Sequence, residues 1–358
     1  MTGHPAVGAD GGRAIALLTE MVRIPSPSGR EERLAEYLVA AMGELGLRSE
    51  RDAAGNAVGE LGDGPRHVVL VGHMDTVPGD IPVRREGNVL WGRGTVDAKG
   101  PLAAFVMAVA LLGPRPGTRF TVVGAVEEEA ATSRGARHVA ARYQPDYAII
   151  GEPSGWDRIT LGYKGRLLLD YALERPMAHS AGEARAACEE AVAYWQQVYA
   201  CAEAFNRDKE GRFATLDPSL RSMSSSSDGL AERVAMTIGL RLPPEIDVDA
   251  LTRSLVGWAA GATVTMRGLE APFRAGKRNP LCSAFLAAIR AAGGRAAFVT
   301  KTGTSDMNVL GPRWGCPILA YGPGDSAYDH TPDEQIDLGE YLRSIDVLRG
   351  ALERLASI

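Results

Sequence analysis

Residues 68–79 read VVLVGHMDTVPG, and this stretch decides how the rest of the chain is interpreted. Its first four residues are apolar and mostly β-branched, which predicts a buried strand that ends at a glycine. His73 and Asp75 follow two residues apart, before a turn. The pair alone is compatible with either a polar loop or a metal site at the end of a strand.

Three more apolar runs are followed by acidic or histidine residues. FTVVGAV (120–126) precedes EEEA, YAII (147–150) precedes GEP, and PILAY (317–321) precedes GPGDSAYDHTPDE. Helical stretches separate some of these runs, such as PLAAFVMAVALLG from Pro101 onward. Strands that alternate with helices predict an α/β fold with a mixed, mostly parallel sheet flanked by helices. In such sheets the functional site lies at the carboxyl ends of the strands.

The middle of the chain has a different pattern, and we expect residues 162–268 to form an inserted α+β domain of β-α-β-β-α-β order. The catalytic domain would then consist of residues 1–161 and 269–358. The serine-rich stretch SMSSSSDGL (222–230) is expected to be a turn between two strands. Near the amino terminus, Ser28 is the expected N-cap of a helix that stops at Gly46.

The bulk composition excludes several classes of protein. The 358 residues carry a net charge of -5, which argues against general nucleic-acid binding. No apolar run approaches the ~20 residues of a membrane-spanning helix. The four cysteines are scattered, which is typical of a reducing compartment, so we expect a cytoplasmic protein.

The acidic and histidine residues at the predicted strand ends indicate a metal centre. Carboxylates a few ångströms apart raise each other's pKa, and a divalent cation removes that cost. The candidate ligands number more than one tetrahedral zinc accepts and suit two zinc ions, or cobalt as a substitute, sharing a carboxylate and a water. These ligands are His73, Asp97, Glu128, Glu152 and His330. Asp75 is expected to accept the free ring N–H of His73.

The motifs GHMDTVP, GRGTVDAKGPLAA, VEEEA, GEPS, TGTSDMN and GPGDSAYDHTPDE cover nearly the whole chain. In this order they resemble the di-zinc metallopeptidase and deacylase family of acetylornithine deacetylase and succinyl-diaminopimelate desuccinylase. The resemblance implies that His73, Asp97 and Glu152 hold one zinc. It implies that Asp97, Glu128 and His330 hold the other, with Asp97 bridging.

The same resemblance implies catalytic roles outside the ligand set. Glu127 would be the general base that takes a proton from water and returns it to the departing amine. The inserted domain would be a lid through which two subunits form a homodimer. His179 would supply an oxyanion donor from the partner subunit, although the segment HSAGEA after it departs from the usual pattern of the family.

The substrate is less defined by the sequence than the reaction. Arg274 lies in the basic stretch RGLEAPFRAGKRNPL (267–281) and could bind a carboxylate, whereas Gly303, Thr304 and Ser305 could bind the backbone end of a substrate. The runs KTGTSDMN and YGPGDSAYDHTP resemble one branch, the LysW-lysine/LysW-ornithine hydrolases. That branch releases lysine or ornithine from the γ-carboxyl of the C-terminal glutamate of an acidic amino-group carrier protein. N-acetyl-lysine or N-acetylornithine deacetylation, and dipeptidase or glutamate carboxypeptidase activity, remain alternatives.

Overall fold

The computed structural model describes residues 9–177, 179 and 184–358. The chain divides into two compact units. The first runs up to Gly162 and continues through Ala275–Thr300 and Ser305–Ile358; the second comprises Tyr163–Arg274 and Lys301–Thr304. The predicted boundaries were 162 and 268. The structure therefore moves the second boundary by several residues and adds a four-residue segment to the second unit.

The first unit begins with two helices and a set of strands that include the four apolar runs of the sequence. Before the second unit the elements are α1 Ala9–Arg23, α2 Glu32–Glu44, β1 Arg48–Arg51, β2 Ala57–Leu61, β3 Arg66–His73, β4 Arg84–Glu86, β5 Val89–Trp91, α3 Lys99–Leu112, β6 Thr118–Ala125, α4 Arg134–Arg142, β7 Tyr147–Gly151 and β8 Arg158–Tyr163. In the second unit they are β9 Gly165–Pro176, α5 Ala187–Asn206, β10 Asp217–Ser227, β11 Ala231–Leu242, α6 Val248–Gly257, β12 Thr263–Glu270 and β13 Phe273–Arg274. The chain then forms α7 Pro280–Ala291, β14 Ala297–Lys301, α8 Asp306–Trp314, β15 Ile318–Ala320, a 3₁₀ turn at Ser326–Tyr328, β16 Gln335–Asp337 and α9 Leu338–Ala356.

The main sheet of the first unit has the strand order β1-β2-β6-β3-β7-β15-β8. Its four central strands, β6, β3, β7 and β15, run parallel, whereas β2 and β8 are antiparallel to their neighbours. This confirms the expected α/β fold with a mixed, mostly parallel sheet. The parallel register brings His73 opposite Ala125 and Gly72 opposite Gly151. The residues that follow β3, β6 and β7 therefore leave the sheet at one edge.

Helix α3 packs directly on this sheet and is in turn covered by α1 and α9. Its side chains are buried around almost the whole helix, which explains why its sequence is apolar without a polar stripe. Two strand glycines permit the close approach. A Cβ on Gly72 would lie 3.1 Å from the Cβ of Leu102, and one on Gly151 would lie 2.9 Å from the ring of Phe105.

The second unit is an antiparallel sheet of order β10-β11-β9-β12 with α5 and α6 packed over it. Its element order, β9-α5-β10-β11-α6-β12, is the β-α-β-β-α-β order inferred from the sequence. Strand β10 is at the edge of this sheet, and residues 219–227 of it are exposed. None of the helices in the described residues is both long and apolar enough to cross a membrane.

Two local predictions were wrong. The serine run is not a turn, because Ser224 to Ser227 continue β10 in register with β11 and Asp228 makes the turn by accepting the N–H groups of Leu230 and Ala231. Ser28 is not the N-cap of α2, since Glu31 occupies that position. The hydroxyl of Ser28 instead donates to the carboxylate of Asp75 at 2.7 Å.

Candidate metal centre

Two groups of potential ligands meet at the carboxyl edge of the main sheet, in the first unit. The first group is His73, Asp97 and Glu152, and the second is Asp97, Glu129 and His330. In each group one nitrogen or oxygen atom per residue lies within 4.8 Å of the others. Such mixed nitrogen and oxygen donors suit zinc or a similar divalent cation.

Asp97 belongs to both groups, and each of its carboxylate oxygens faces a different histidine. Its Oδ1 is 3.1 Å from Nε2 of His73, and its Oδ2 is 3.0 Å from Nε2 of His330. A carboxylate with one oxygen directed to each side can bridge two cations. The geometry therefore fits the dinuclear arrangement inferred from the sequence.

The electrostatics of the centre show how costly these groups are without a cation. Burial raises the pKa of Glu152 well above its usual range, and the charge of Asp97 raises it further. Hydrogen bonds to Asp97 and Glu129 raise the pKa of His330 to about 10. A divalent cation would compensate the negative charges that converge here.

The residues of the EEE run take three different positions. The carboxylate of Glu127 is held by Arg134 at 2.8 Å and by the Thr132 hydroxyl at 2.6 Å. Glu129 accepts a hydrogen bond from Nε2 of His330 at 2.7 Å. Glu128 was the ligand predicted beside His330, but the structure brings Glu129 there.

Glu128 lies between these two neighbours and is half-buried. Burial raises its pKa well above the usual range; the charge of His73 opposes that shift, and the charge of Glu152 adds to it. Glu128 is therefore close to residues of the first group without being a member of either group. The carboxylate of Glu127, the expected base, forms an ion pair with Arg134.

The backbone at two of these positions has an uncommon conformation. Glu127 has φ of 59° and His330 has φ of 61°, in the left-handed region that non-glycine residues seldom adopt. Such residues occur preferentially at functional sites, where the surrounding structure holds them. The left-handed residue at the start of the EEE run redirects the chain after β6.

A profile of peptidase family M20/M25/M40 matches residues 69–354. The chain belongs to this family. A LysW-lysine hydrolase from Deinococcus radiodurans is 47% identical over 356 residues, covering 97% of this chain and 98% of that protein. A Thermococcus kodakarensis protein with the provisional description LysW-lysine/LysW-ornithine hydrolase is 39% identical, covering 95% and 92%. The M20 chain is thus a metal-dependent amide hydrolase.

Solved structures support the fold. A tripeptidase from Staphylococcus aureus superposes with a TM-score of 0.81 at 17% identity, covering 97% of this chain and 99% of that one. At that identity the likeness shows the M20 fold alone.

Asp75 contacts His73 differently from the prediction for this M20 chain. The Nδ1 atom of His73 is 2.9 Å from the backbone carbonyl of Asp75 and 3.6 Å from its Oδ1. The carboxylate of Asp75 instead accepts the backbone N–H groups of Glu128 and Glu129, each at 3.0 Å. Asp75 therefore orients both the histidine and the EEE turn.

The expected substrate-binding residues are divided between the two units of the M20 chain. Arg274 is exposed in β13 of the second unit, where Gly303 and Thr304 also belong. Ser305 is in the first unit, where its buried hydroxyl caps α8 by accepting the N–H of Met307. The hydroxyl of Ser305 thus has a structural role that the sequence did not indicate.

A group of cationic residues in the second unit was not predicted from the sequence. Lys164 is fully buried, and its Nζ donates to Oδ2 of Asp217 at 2.6 Å. Burial lowers its pKa, and the positive charges of Arg212 and Arg241 lower it further. Arg241 also donates to the hydroxyl of Thr304 at 3.1 Å. The spacing of these residues along the chain gives no sign that they meet.

His179 is exposed and lies between residues outside the described part of the chain. Its expected role as an oxyanion donor is therefore not tested by its immediate surroundings.

Proposed function

We propose that this protein releases lysine, ornithine or both from the γ-carboxyl of the C-terminal glutamate of the LysW amino-group carrier protein. The reaction belongs to lysine biosynthesis through α-aminoadipate and to the related arginine pathway. The observation that carries the proposal is the 47% identity to a LysW-lysine hydrolase over 97% of the chain. The two ligand groups that share Asp97 support the proposal, because two cations held there would supply the chemistry that such a reaction needs.

Two divalent cations, zinc with cobalt as a substitute, are proposed to occupy these groups. His73, Asp97 and Glu152 would hold one, and Asp97, Glu129 and His330 would hold the other. When bound, the cations would activate a water molecule and polarise the amide carbonyl. Glu129 replaces Glu128 in this proposal because its carboxylate is the one beside His330.

Glu128 is proposed as the general base in place of Glu127. A base must reach the water without being bound to a competing cation, and Glu127 is engaged by Arg134. Glu128 is half-buried near the first ligand group, where desolvation raises its pKa well above the usual range of a carboxyl. It would take the proton of the attacking water and return it to the departing amine.

The cationic group of the second unit is proposed to bind a carboxylate of the substrate. Lys164 donates to the carboxylate of Asp217, and Arg212 and Arg241 lie close enough to Lys164 for their charges to lower its pKa. Arg241 reaches Thr304, so Gly303 and Thr304 are proposed to lie beside the same ligand. Arg274 is exposed and remains a candidate contact for the acidic carrier, whereas Ser305 is expected to act through the capping of α8.

A cytoplasmic homodimer formed through the lid is proposed as the assembled state, with His179 acting in the partner's site. Strand β10 supports this because it is an exposed sheet edge, which can pair with a second strand. Helix α5 contacts β10 and exposes Val192 and Tyr199, at 43% and 48% of their surface. Edge strand and apolar helix face together could form an interface between two copies.

The test is amine release by the metal-loaded protein. It would be offered carrier protein with lysine or ornithine on its terminal glutamate and, in parallel, free N-acetyl-lysine and N-acetylornithine. We expect fast release from the carrier and slow turnover of the acetylated amino acids. The reverse order would make the protein a small-molecule deacetylase and would refute the carrier as substrate.

A further inference from the structure

The segment between α1 and α2, residues 24–31 with the sequence IPSPSGRE, is attached to the loop that follows β3. The N–H of Thr76 donates to the carbonyl of Ser26 at 3.0 Å, and the hydroxyl of Ser26 donates to the carbonyl of Met74 at 2.7 Å. Pro27 and Thr76 form a parallel β-bridge. The Nζ of buried Lys99 donates to the carbonyl of Ile24 at 2.8 Å. These bonds hold the segment against the loop that follows β3.

Two side chains of this segment reach the groups that orient the EEE turn. The hydroxyl of Ser28 donates to Oδ2 of Asp75 at 2.7 Å. The Oε1 atom of Glu31 accepts the N–H of Gly29 at 2.9 Å and the N–H of Glu127 at 3.1 Å. Glu31 is only 4% exposed, so its carboxylate is directed inward although it begins a surface helix.

The backbone N–H groups of the EEE turn are consequently bound by two carboxylates. Glu31 accepts from Glu127, and Asp75 accepts from Glu128 and Glu129. Asp75 is in turn braced by Ser28. This matters because the turn begins with Glu127 in a left-handed conformation, which is unfavourable for a non-glycine residue and persists only where other contacts hold it.

We propose that Ser28 and Glu31 are positioning residues that aim the side chains of Glu128 and Glu129. This inference rests on the proposed function, since it assigns the base and one ligand to that turn. Glu31 binds the N–H of Glu127 at the start of the turn. Ser28 orients the carboxylate of Asp75, which binds the N–H groups of Glu128 and Glu129. Neither residue needs to touch substrate or metal to affect catalysis.

The experiment compares Glu31→Ala, Glu31→Gln and Ser28→Ala with Arg30→Ala as the matched control. Arg30 belongs to the same loop but is exposed, and in the described chain its side chain forms no hydrogen bond. The readouts are kcat and KM for amine release, and the affinity for zinc measured by titration of the apoprotein. Loss of such supporting contacts typically costs about 10- to 100-fold in activity or metal affinity.

We expect Glu31→Ala to lower kcat about 10-fold or more with KM nearly unchanged, and to weaken one of two zinc-binding steps. Glu31→Gln should retain most activity because its amide oxygen still accepts both N–H groups. Ser28→Ala should show a smaller loss of the same kind, and Arg30→Ala none. Wild-type kcat and zinc affinity in Glu31→Ala would overturn the inference, as would equal damage from Glu31→Gln.

Two further outcomes are distinguishable. If Glu31→Ala does not fold, Ser28→Ala decides, and unchanged kcat and zinc affinity in that variant would overturn the inference. If wild-type protein does not release amine from the carrier, the proposed function fails. The zinc titrations of wild type and variants still decide whether the segment positions the turn.

Discussion

The Nε2 atom of His330 lies 2.7 Å from Oε1 of Glu129, although 201 positions separate the two residues in the chain. This contact, together with the shared carboxylate of Asp97, defines the second ligand group. It also underlies the proposed division of the three consecutive glutamates between structure, base and ligand. The first two predictions test that division.

Glu128→Gln should lower kcat by about 10²- to 10⁴-fold, the range for a lost general base, while two zinc equivalents remain bound. The amide keeps the shape of the side chain but cannot accept the proton. Glu127→Gln is the matched control and should retain most activity, because Glu127 contacts Arg134 and Thr132. Steady-state amine release measures both. An inactive Glu127→Gln beside an active Glu128→Gln would restore Glu127 as the base.

Glu129→Gln should reduce the bound zinc from two equivalents per chain toward one, because the second group loses the carboxylate that it does not share with the first group. Asp97→Asn should affect both equivalents, since its carboxylate faces both histidines. Elemental analysis after dialysis against limiting zinc measures the stoichiometry. Two tightly bound equivalents in Glu129→Gln would remove this residue from the ligand set.

Arg241→Ala should raise KM for the carrier about 10-fold or more with a smaller effect on kcat, because it removes a cation from the proposed carboxylate site. Arg233→Ala is the control on the same strand, where the arginine pairs with Glu174 and Asp228. Initial rates over a range of carrier concentrations separate the two constants. An unchanged KM in Arg241→Ala would argue that the cationic group is structural.

His67 should make the protein less stable in mild acid. Burial and the charge of Arg119 lower the pKa of His67 from 6.5 to about 4, so the folded state keeps it neutral where the unfolded chain binds a proton. The free energy of unfolding should therefore fall as pH decreases from about 6.5 to 4, by at most about 3.4 kcal/mol. Below pH 4 this contribution stays constant because both states are protonated.

The measurement for His67 is urea unfolding of wild type and His67→Gln across that pH range. Glutamine can still donate to Thr121 and accept from Arg119, as the ring does at 2.8 and 3.1 Å. The variant should lose the part of the pH slope that His67 contributes. Parallel slopes in wild type and His67→Gln would contradict the assignment.

Val192→Glu combined with Tyr199→Glu should convert the proposed dimer to monomers, because two charges would enter an apolar interface on α5. Val256→Glu is the control, since Val256 is 57% exposed on α6 instead. Light scattering after size-exclusion chromatography gives the mass. A dimer that survives both charges would exclude this face of α5 from the interface.

Much of the fold could be predicted because long apolar runs mark β3, β6, β7 and β15 and because parallel strands share one carboxyl edge. The same reasoning predicted that His73, Asp97, Glu152 and His330 lie together at that edge. The sequence could not assign separate roles to Glu127, Glu128 and Glu129, because three consecutive identical residues cannot be told apart by their type. The direction of each side chain depends on Glu127 adopting a left-handed φ, which the conformational propensity of glutamate does not indicate.

Other features depend on contacts between distant residues that local patterns do not encode. Lys164, Arg212 and Arg241 come from three separate segments of the second unit and leave no motif. Ser28 is a residue type that favours N-cap positions, but its hydroxyl donates to Asp75, 47 positions away. In both cases the residue types permit a local structure, and tertiary contacts select another.

The assignment of Lys301–Thr304 to the second unit has a consequence for protein engineering. The chain passes from one unit to the other four times, so residues 163–274 alone are not an exchangeable cassette. Arg241 contacts Thr304, and Lys164 contacts Lys301. A chimera that took only residues 163–274 from a relative would therefore pair the relative's residues at positions 164 and 241 with the host's Lys301 and Thr304. Exchange of specificity between relatives should therefore carry both segments together.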